Sequence, residues 1–369
     1  MNPRERFLGM IRGEPVDRVP LHLLGFDFLR REDIAALDDP RKREIAERIF
    51  EHTVGSVVIP SYHNRYLTVP PQRIREVSRV ENNKSAIVTT EIDTPKGRLS
   101  AITRRDAGTY TTWTLKYPVN SLEDIEKIRS VPWELPQGLA PPNNEDLEAP
   151  HDGRSVVLTR ISSPFVCVAG MMPYQYFLEL CATELDLIKE LTALCLQRVL
   201  SILEVLLSNQ AVDLVWMGGS EWLTPPMASP GLYEELVQGP EKQVIERIHA
   251  GGALVQVHCH GNVRSTLEWV IARGADYFEP VEPPPDGDIP FAEAKKLAAG
   301  RVTLGGNIEV RLIYYSDADT VEEKVRQAFE GGKQRMVLQP TEGPISAVSE
   351  RMLQNYMRMI DVWEELSPL

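Results

Sequence analysis

The chain has 369 residues, 43% of them hydrophobic and 25% charged, enough to bury a large core as two domains or as one α/β barrel with insertions. A formal net charge of −13 argues against a nucleic-acid backbone or an anionic membrane surface as the main partner. The four cysteines (Cys167, Cys181, Cys195, Cys259) show no CxxC pair or secreted-type spacing and read as reduced thiols of a cytoplasmic protein.

Taken in order, the charged start Met1-Asn-Pro-Arg-Glu-Arg-Phe7 has no apolar signal core, and Asn2 to Arg12 reads as a short helix. Gly13 to Pro20 is turn-rich. Leu21 to Leu24 reads as a first short strand containing His22, and the charged helical stretch Asp39 to His52 leads to a second, Ser56 to Pro60. From Ile87 to Tyr117 the pattern turns β-rich, with Pro95-Lys-Gly97 as a turn between two β-branched runs. Ser121-Leu-Glu-Asp124 is a helix cap, and Pro136 to Pro150 is an acidic, proline-rich connector. Together these define a small antiparallel insertion at about 76–150.

Strands then alternate with helices: Ser155–Thr159, Val212–Met217, Ala253 onward, Ala275–Pro280, Val302–Gly305 and Met336–Leu338. The apolar helix Leu191 to Leu207 is interrupted by Gln197, Arg198 and Glu204, as in a buried helix and not a membrane span. Eight strand candidates in this rhythm predict one (β/α)8 TIM-like barrel spanning 1–369 and carrying the β insertion. A doubly wound sheet is the alternative, but no GxGxxG follows the first strand.

In such a barrel the chemistry sits at the C-terminal strand ends. The stretch Ala253-Leu-Val-Gln-Val-His-Cys-His-Gly-Asn262 places His258 and His260 on one face of a strand end, with Cys259 on the other. Two imidazoles so placed can be ligands of one metal ion, and Glu221 and Glu342 on loops after other strands can complete the set. Zinc accepts such N/O donors with a position left open, as do iron(II) and manganese. Glu279 and Glu282, beside Pro283-Pro-Pro285, read as solvated rim charges, with Glu279 also a candidate substrate contact. Asn307 either turns the chain or meets substrate. Arg160 either forms an internal salt bridge or holds a substrate carboxylate, and His63 is a further substrate contact.

Several of these segments together resemble the uroporphyrinogen decarboxylase-like superfamily. They are Pro3-Arg-Glu-Arg-Phe7, Arg12-Gly-Glu-Pro-Val-Asp-Arg-Val-Pro20, His258-Cys-His-Gly-Asn262, Gly306-Asn-Ile308 and the closing helix around Asn355. The resemblance covers nearly the whole chain and implies a modified TIM barrel. True decarboxylases of the family carry an arginine-rich segment near the N-terminus. Here Leu21-His-Leu-Leu-Gly-Phe-Asp-Phe-Leu-Arg-Arg31 stands in its place, which argues against that reaction.

The other branch holds zinc methyltransferases that work with corrinoid proteins through a His-x-Cys and a later Cys. His258 matches the histidine, His260 stands at the first cysteine and Glu342 near the second. The resemblance thus implies zinc or another divalent metal, a methyl donor and a corrinoid protein. With nitrogen and oxygen in place of thiolates, the ion is more Lewis-acidic, which favours an oxygen-bound methyl group such as a methyl ether. No Asp-x-His-x-x-Gly segment is present, so cobalamin would be supplied by a partner protein. Two other functions remain open: a metal-free decarboxylase or lyase using strand-end acids and bases, and a non-catalytic tetrapyrrole- or corrinoid-binding barrel.

Overall fold

A computed structural model describes residues 1–61, 67, 70–109, 111–143, 146–147 and 153–369. His63 and Asn64 lie outside the described residues.

Seven parallel strands form one curled sheet: β1 (Gly55–Ile59), β6 (Ser155–Ser162), β7 (Leu214–Gly218), β8 (Leu254–His258), β9 (Tyr277–Glu279), β10 (Thr303–Ile308) and β11 (Met336–Pro340). They are neighbours in that order, and helices cover the outside, as strand–helix alternation requires. The expected first strand at Leu21–Leu24 is reduced to one parallel bridge, Leu21 to Leu338. His22 N donates to Leu338 O at 2.9 Å and Leu338 N to Pro20 O at 2.9 Å. Pro20 has no N–H to extend the ladder, and Gly25 at φ 81° turns the chain away three residues after His22. The architecture is a (β/α)8 barrel whose first stave is a single residue pair.

The helix Pro3–Arg12 closes the N-terminal end of this barrel. Asn2 Oδ1 accepts from Glu5 N at 2.8 Å and Glu5 returns the bond to Asn2 N at 3.2 Å, the reciprocal cap that starts the helix. Its Phe7 is buried, with its ring edge-on to His22 (5.6 Å) and Tyr277 (5.9 Å).

Four antiparallel strands, β2 (Ile74–Glu81), β3 (Ser85–Thr94), β4 (Gly97–Asp106) and β5 (Thr112–Lys116), make the second sheet. The β3–β4 turn falls at Pro95–Lys96, where Thr94 pairs with Gly97. Ile92 and Leu99 bury against Ile125 and Ile128 of the helix Leu122–Arg129, which Ser121 caps at Asp124 N (3.2 Å). The strand β2 precedes the expected start of the β-rich segment. Its charged pattern hides it in the sequence, and all eight of its residues are exposed. Beyond β4, Thr109 bridges to Ser346, in the loop that follows Glu342, so this sheet reaches the rim where the barrel opens.

No helix among the described residues is long and apolar enough to cross a membrane. Because Phe7 fills the closed end of the barrel under two polar rings, Phe7→Ala is expected to cost about 3–5 kcal/mol of stability. The urea midpoint measures it, and an unchanged midpoint would show that Phe7 does not plug the barrel.

Candidate functional site

Side chains that pair across parallel strands share a face. The register Arg160–Trp216–Gln256–Tyr277 makes one inward layer, and Ser162–Gly218–His258–Glu279 makes the next. The second layer lies at the C-terminal strand ends, where His258 closes β8 and Glu279 closes β9.

Glu279 is 0% exposed, and a buried carboxylate needs compensation. Its Oε1 accepts from His258 Nδ1 (2.8 Å) and Gln256 Nε2 (2.9 Å), and its Oε2 accepts from Gln339 Nε2 (2.9 Å). Tyr277 donates its hydroxyl to Gln339 Oε1 at 2.5 Å, which fixes the amide with its nitrogen toward Glu279. Gly305 makes room: a Cβ there would lie 2.3 Å from the Tyr277 hydroxyl and 2.7 Å from Glu279 Cβ. Burial pushes the Glu279 carboxyl up, but the charge of His258 and the hydrogen bonds from His258 and Gln256 prevail and hold it at about 2. Burial likewise disfavours the His258 imidazolium, yet Glu279, aided by Glu221 and Glu342, holds it at about 9.

His260 repeats the arrangement one residue beyond Cys259. Its Nδ1 lies 3.1 Å from Glu282 Oε1, and Glu282 Oε2 accepts from Gly261 N at 2.8 Å. Burial lowers the His260 pKa and the Glu282 hydrogen bond raises it, with a net upward shift. The two rings meet edge to face at 4.6 Å, and Trp216 packs against His258 at 5.0 Å. A Cβ on Gly218 would strike the Trp216 ring, so this glycine lets the indole fold over the strand end.

Glu279 and Glu282 are therefore not solvated rim charges. Both are buried, each with a carboxylate oxygen against the Nδ1 of one imidazole. Nor is Glu279 open to a substrate, since it is 0% exposed and its three hydrogen bonds come from protein donors.

The remaining candidates fall at different distances from this pair. Glu221 stands on the turn Ser220–Trp222 after β7. Its Oε2 is buried without a hydrogen-bond partner, and burial raises its carboxyl while both imidazoles pull the other way. Glu342 is exposed; its Oε1 accepts from Gly343 N at 2.8 Å, and it reaches His258 through its charge. Arg160 is exposed at the end of β6, and its side chain forms no hydrogen bond or ion pair among the described residues. Asn307, 9% exposed at the end of β10, makes no side-chain hydrogen bond among them either. Cys259 faces the other way, fully buried with Sγ 3.4 Å from Thr224 Oγ1, and burial pushes its thiol up to about 12.

Both imidazoles are tethered through Nδ1, and neither Nε2 has a hydrogen bond among the described residues. A carboxylate on the far nitrogen is the outer-shell arrangement that orients metal-binding histidines. The unpartnered Glu221 oxygen is a third donor type, within reach of both imidazoles through its charge. The donor types fit a divalent ion held by His258, His260 and Glu221. Among the described residues, however, no three His, Cys, Asp or Glu side chains converge into a ready-made cage. Glu342, turned to its own loop, is the weakest of the four expected ligands.

The profile of the uroporphyrinogen decarboxylase family matches residues 111–363. Among solved structures, a methyltransferase from Methanosarcina mazei shares 13% identity over 99% of both chains, with a TM-score of 0.63. A B12-independent methionine synthase from a Shewanella species, in complex with selenomethionine, shares 11% identity over 79% of this chain and 75% of that one, with a TM-score of 0.40. No curated protein matches the sequence.

The buried pair makes stability depend on pH. His258, raised from 6.5 to about 9, contributes fully below its unfolded value and loses its contribution as pH rises through 9. Glu279, lowered from 4.5 to about 2, contributes above 4.5 and loses its contribution as pH falls toward 2. In metal-free protein, the stability gap between wild type and Glu279→Gln should therefore be widest between pH 4.5 and 6.5 and shrink toward pH 9. Urea midpoints across that range measure the gap, and a constant gap would contradict the pairing.

Proposed function

The chain belongs to the uroporphyrinogen decarboxylase family, and within it we propose a methyltransferase that moves a methyl group from a small, oxygen-methylated substrate to a corrinoid protein. The observation that carries this reading is the donor pair itself. His260 stands beside His258 with its Nδ1 tethered, while the neighbouring thiol of Cys259 is buried on the opposite face. Nitrogen and oxygen donors without a thiolate leave a divalent ion Lewis-acidic, suited to drawing charge from an ether oxygen as the methyl group departs. The whole-length likeness to a methyltransferase barrel supports the fold that such a site needs.

The chain's own residues divide the work. Gln256, Gln339 and Tyr277 hold Glu279, which holds the His258 ring. Glu282 holds His260 through one oxygen and the Gly261 backbone through the other. Arg160, exposed in the layer just below His258, would pair with a substrate carboxylate, and Asn307, at the end of β10, would donate to a substrate oxygen. The partner's corrinoid would supply the nucleophile that accepts the methyl group, while this chain would hold the donor and its leaving oxygen at the strand ends.

One further observation favours a second reading, a metal-free lyase. A Glu221 carboxyl raised by burial beside an imidazolium held at about 9 is an acid–base pair without any ion.

Metal analysis of the purified protein, coupled to methylation of a corrinoid protein, separates the two. The expected result is one divalent ion per chain and methyl transfer from an O-methyl donor. His260→Ala should lower metal affinity by more than the roughly 10–100-fold typical of outer-shell changes. A metal-free wild type that stays fully active, or that releases carbon dioxide from a carboxylated substrate, would favour the lyase.

Arg160→Gln should raise KM for a carboxylated donor at least tenfold or so while changing kcat little, the signature of a lost charge-assisted contact worth about 1.5–3 kcal/mol. An unchanged KM would remove Arg160 from the substrate site.

A further inference from the structure

At the end of the barrel opposite the histidines, an open cavity of about 820 Å³ lies between the helix Phe291–Ala298 and the turn Glu330–Arg335 that leads into β11. Val302 and Leu304 contribute to its wall, and Lys295, Lys296, Lys333 and Arg335 surround it, with Glu330 as the one acidic side chain among its lining residues. In a chain of net charge −13 this is a local excess of cations, and none of the four is ion-paired among the described residues.

Two of the four are partly used by main-chain carbonyls. Lys333 Nζ donates to Pro368 O at 2.7 Å and Arg335 Nη1 to Ile11 O at 2.7 Å, while Arg335 Nε is buried without a partner. Lys295 is different. Its stem is half-buried, its amine donates to Gly332 O, and Met336 Sδ lies 3.9 Å away. Among the described residues no carboxylate side chain pairs with it, and burial lowers its pKa to about 8. The neighbouring Lys296 is exposed on the same helix.

We propose that Lys295 is an acylation site for small anionic acyl donors, acyl phosphates above all, which the cations around the cavity collect. The donor's phosphate is drawn to Lys296, Lys333 and Arg335, and its acyl carbon comes within reach of the Lys295 amine. The neutral amine attacks that carbon. An amide C–N bond forms as the C–O bond to phosphate breaks, phosphate leaves with the electron pair, and the proton lost by nitrogen passes to solvent. At pH 8 about half of the Lys295 side chains carry the free amine, against under about 1% for a lysine of ordinary pKa. Acylation removes the charge from this junction of helix, turn and strand.

The test uses the wild-type protein with acetyl phosphate at pH 8, following acetylation of each lysine by mass spectrometry. Lys295 should react at least about tenfold faster than Lys296, and the excess should fall in Lys333→Gln, which removes part of the anion-collecting charge. Equal rates at Lys295 and Lys296 would overturn the assignment of the nucleophile. An excess unchanged in Lys333→Gln would overturn the role given to the cations.

Discussion

A carboxylate sealed inside a barrel must be matched group for group, and Glu279 sets the terms for everything around it. At 0% exposure it takes one bond from an imidazole and two from glutamine amides, and a tyrosine orients the second amide. Those demands reach into the backbone. Gly305 has no side chain because the Tyr277 hydroxyl and Glu279 need its space. Pairing across β7, β8 and β9 then sets His258 beside Glu279 in one layer and Trp216 in the layer beneath, with its indole against the His258 ring.

The consequence for chemistry is that two imidazoles are aimed before anything binds. Each gives its Nδ1 to a buried acid, so each Nε2 is the nitrogen left for chemistry. Freezing ring orientation in this way spares the entropy of ordering at the moment of binding. The Glu221 carboxylate oxygen beside the pair, buried and unpartnered, is the kind of uncompensated polar group that a folded protein keeps for a ligand or a proton.

Much of this was legible in the sequence because period-two patterning is strict. Leu254-Val-Gln-Val-His-Cys-His260 put both histidines on one face and Cys259 on the other, and strand–helix alternation announced the barrel. Three features were not. Glu279 and Glu282 looked like rim charges because a proline run follows them, whereas their burial depends on partners from other strands. Gln256 and Gln339 carried a readable signal, a polar side chain inside an otherwise apolar strand, but their shared target becomes visible only when β8, β9 and β11 curl together. Strand β2 was hidden by Arg75, Glu76, Arg79 and Glu81, since a strand open to water on both faces has no apolar alternation to read.

The central claim is that nitrogen and oxygen donors, with no thiolate, make up the reacting centre of this barrel. X-ray absorption at the metal edge of the protein loaded with one equivalent of zinc tests it most directly. The account predicts a first shell of light atoms at about 2.0–2.2 Å, with the multiple-scattering signature of two imidazoles. A sulfur shell at about 2.3 Å, or a zinc ion bound with no imidazole in its shell, would contradict it.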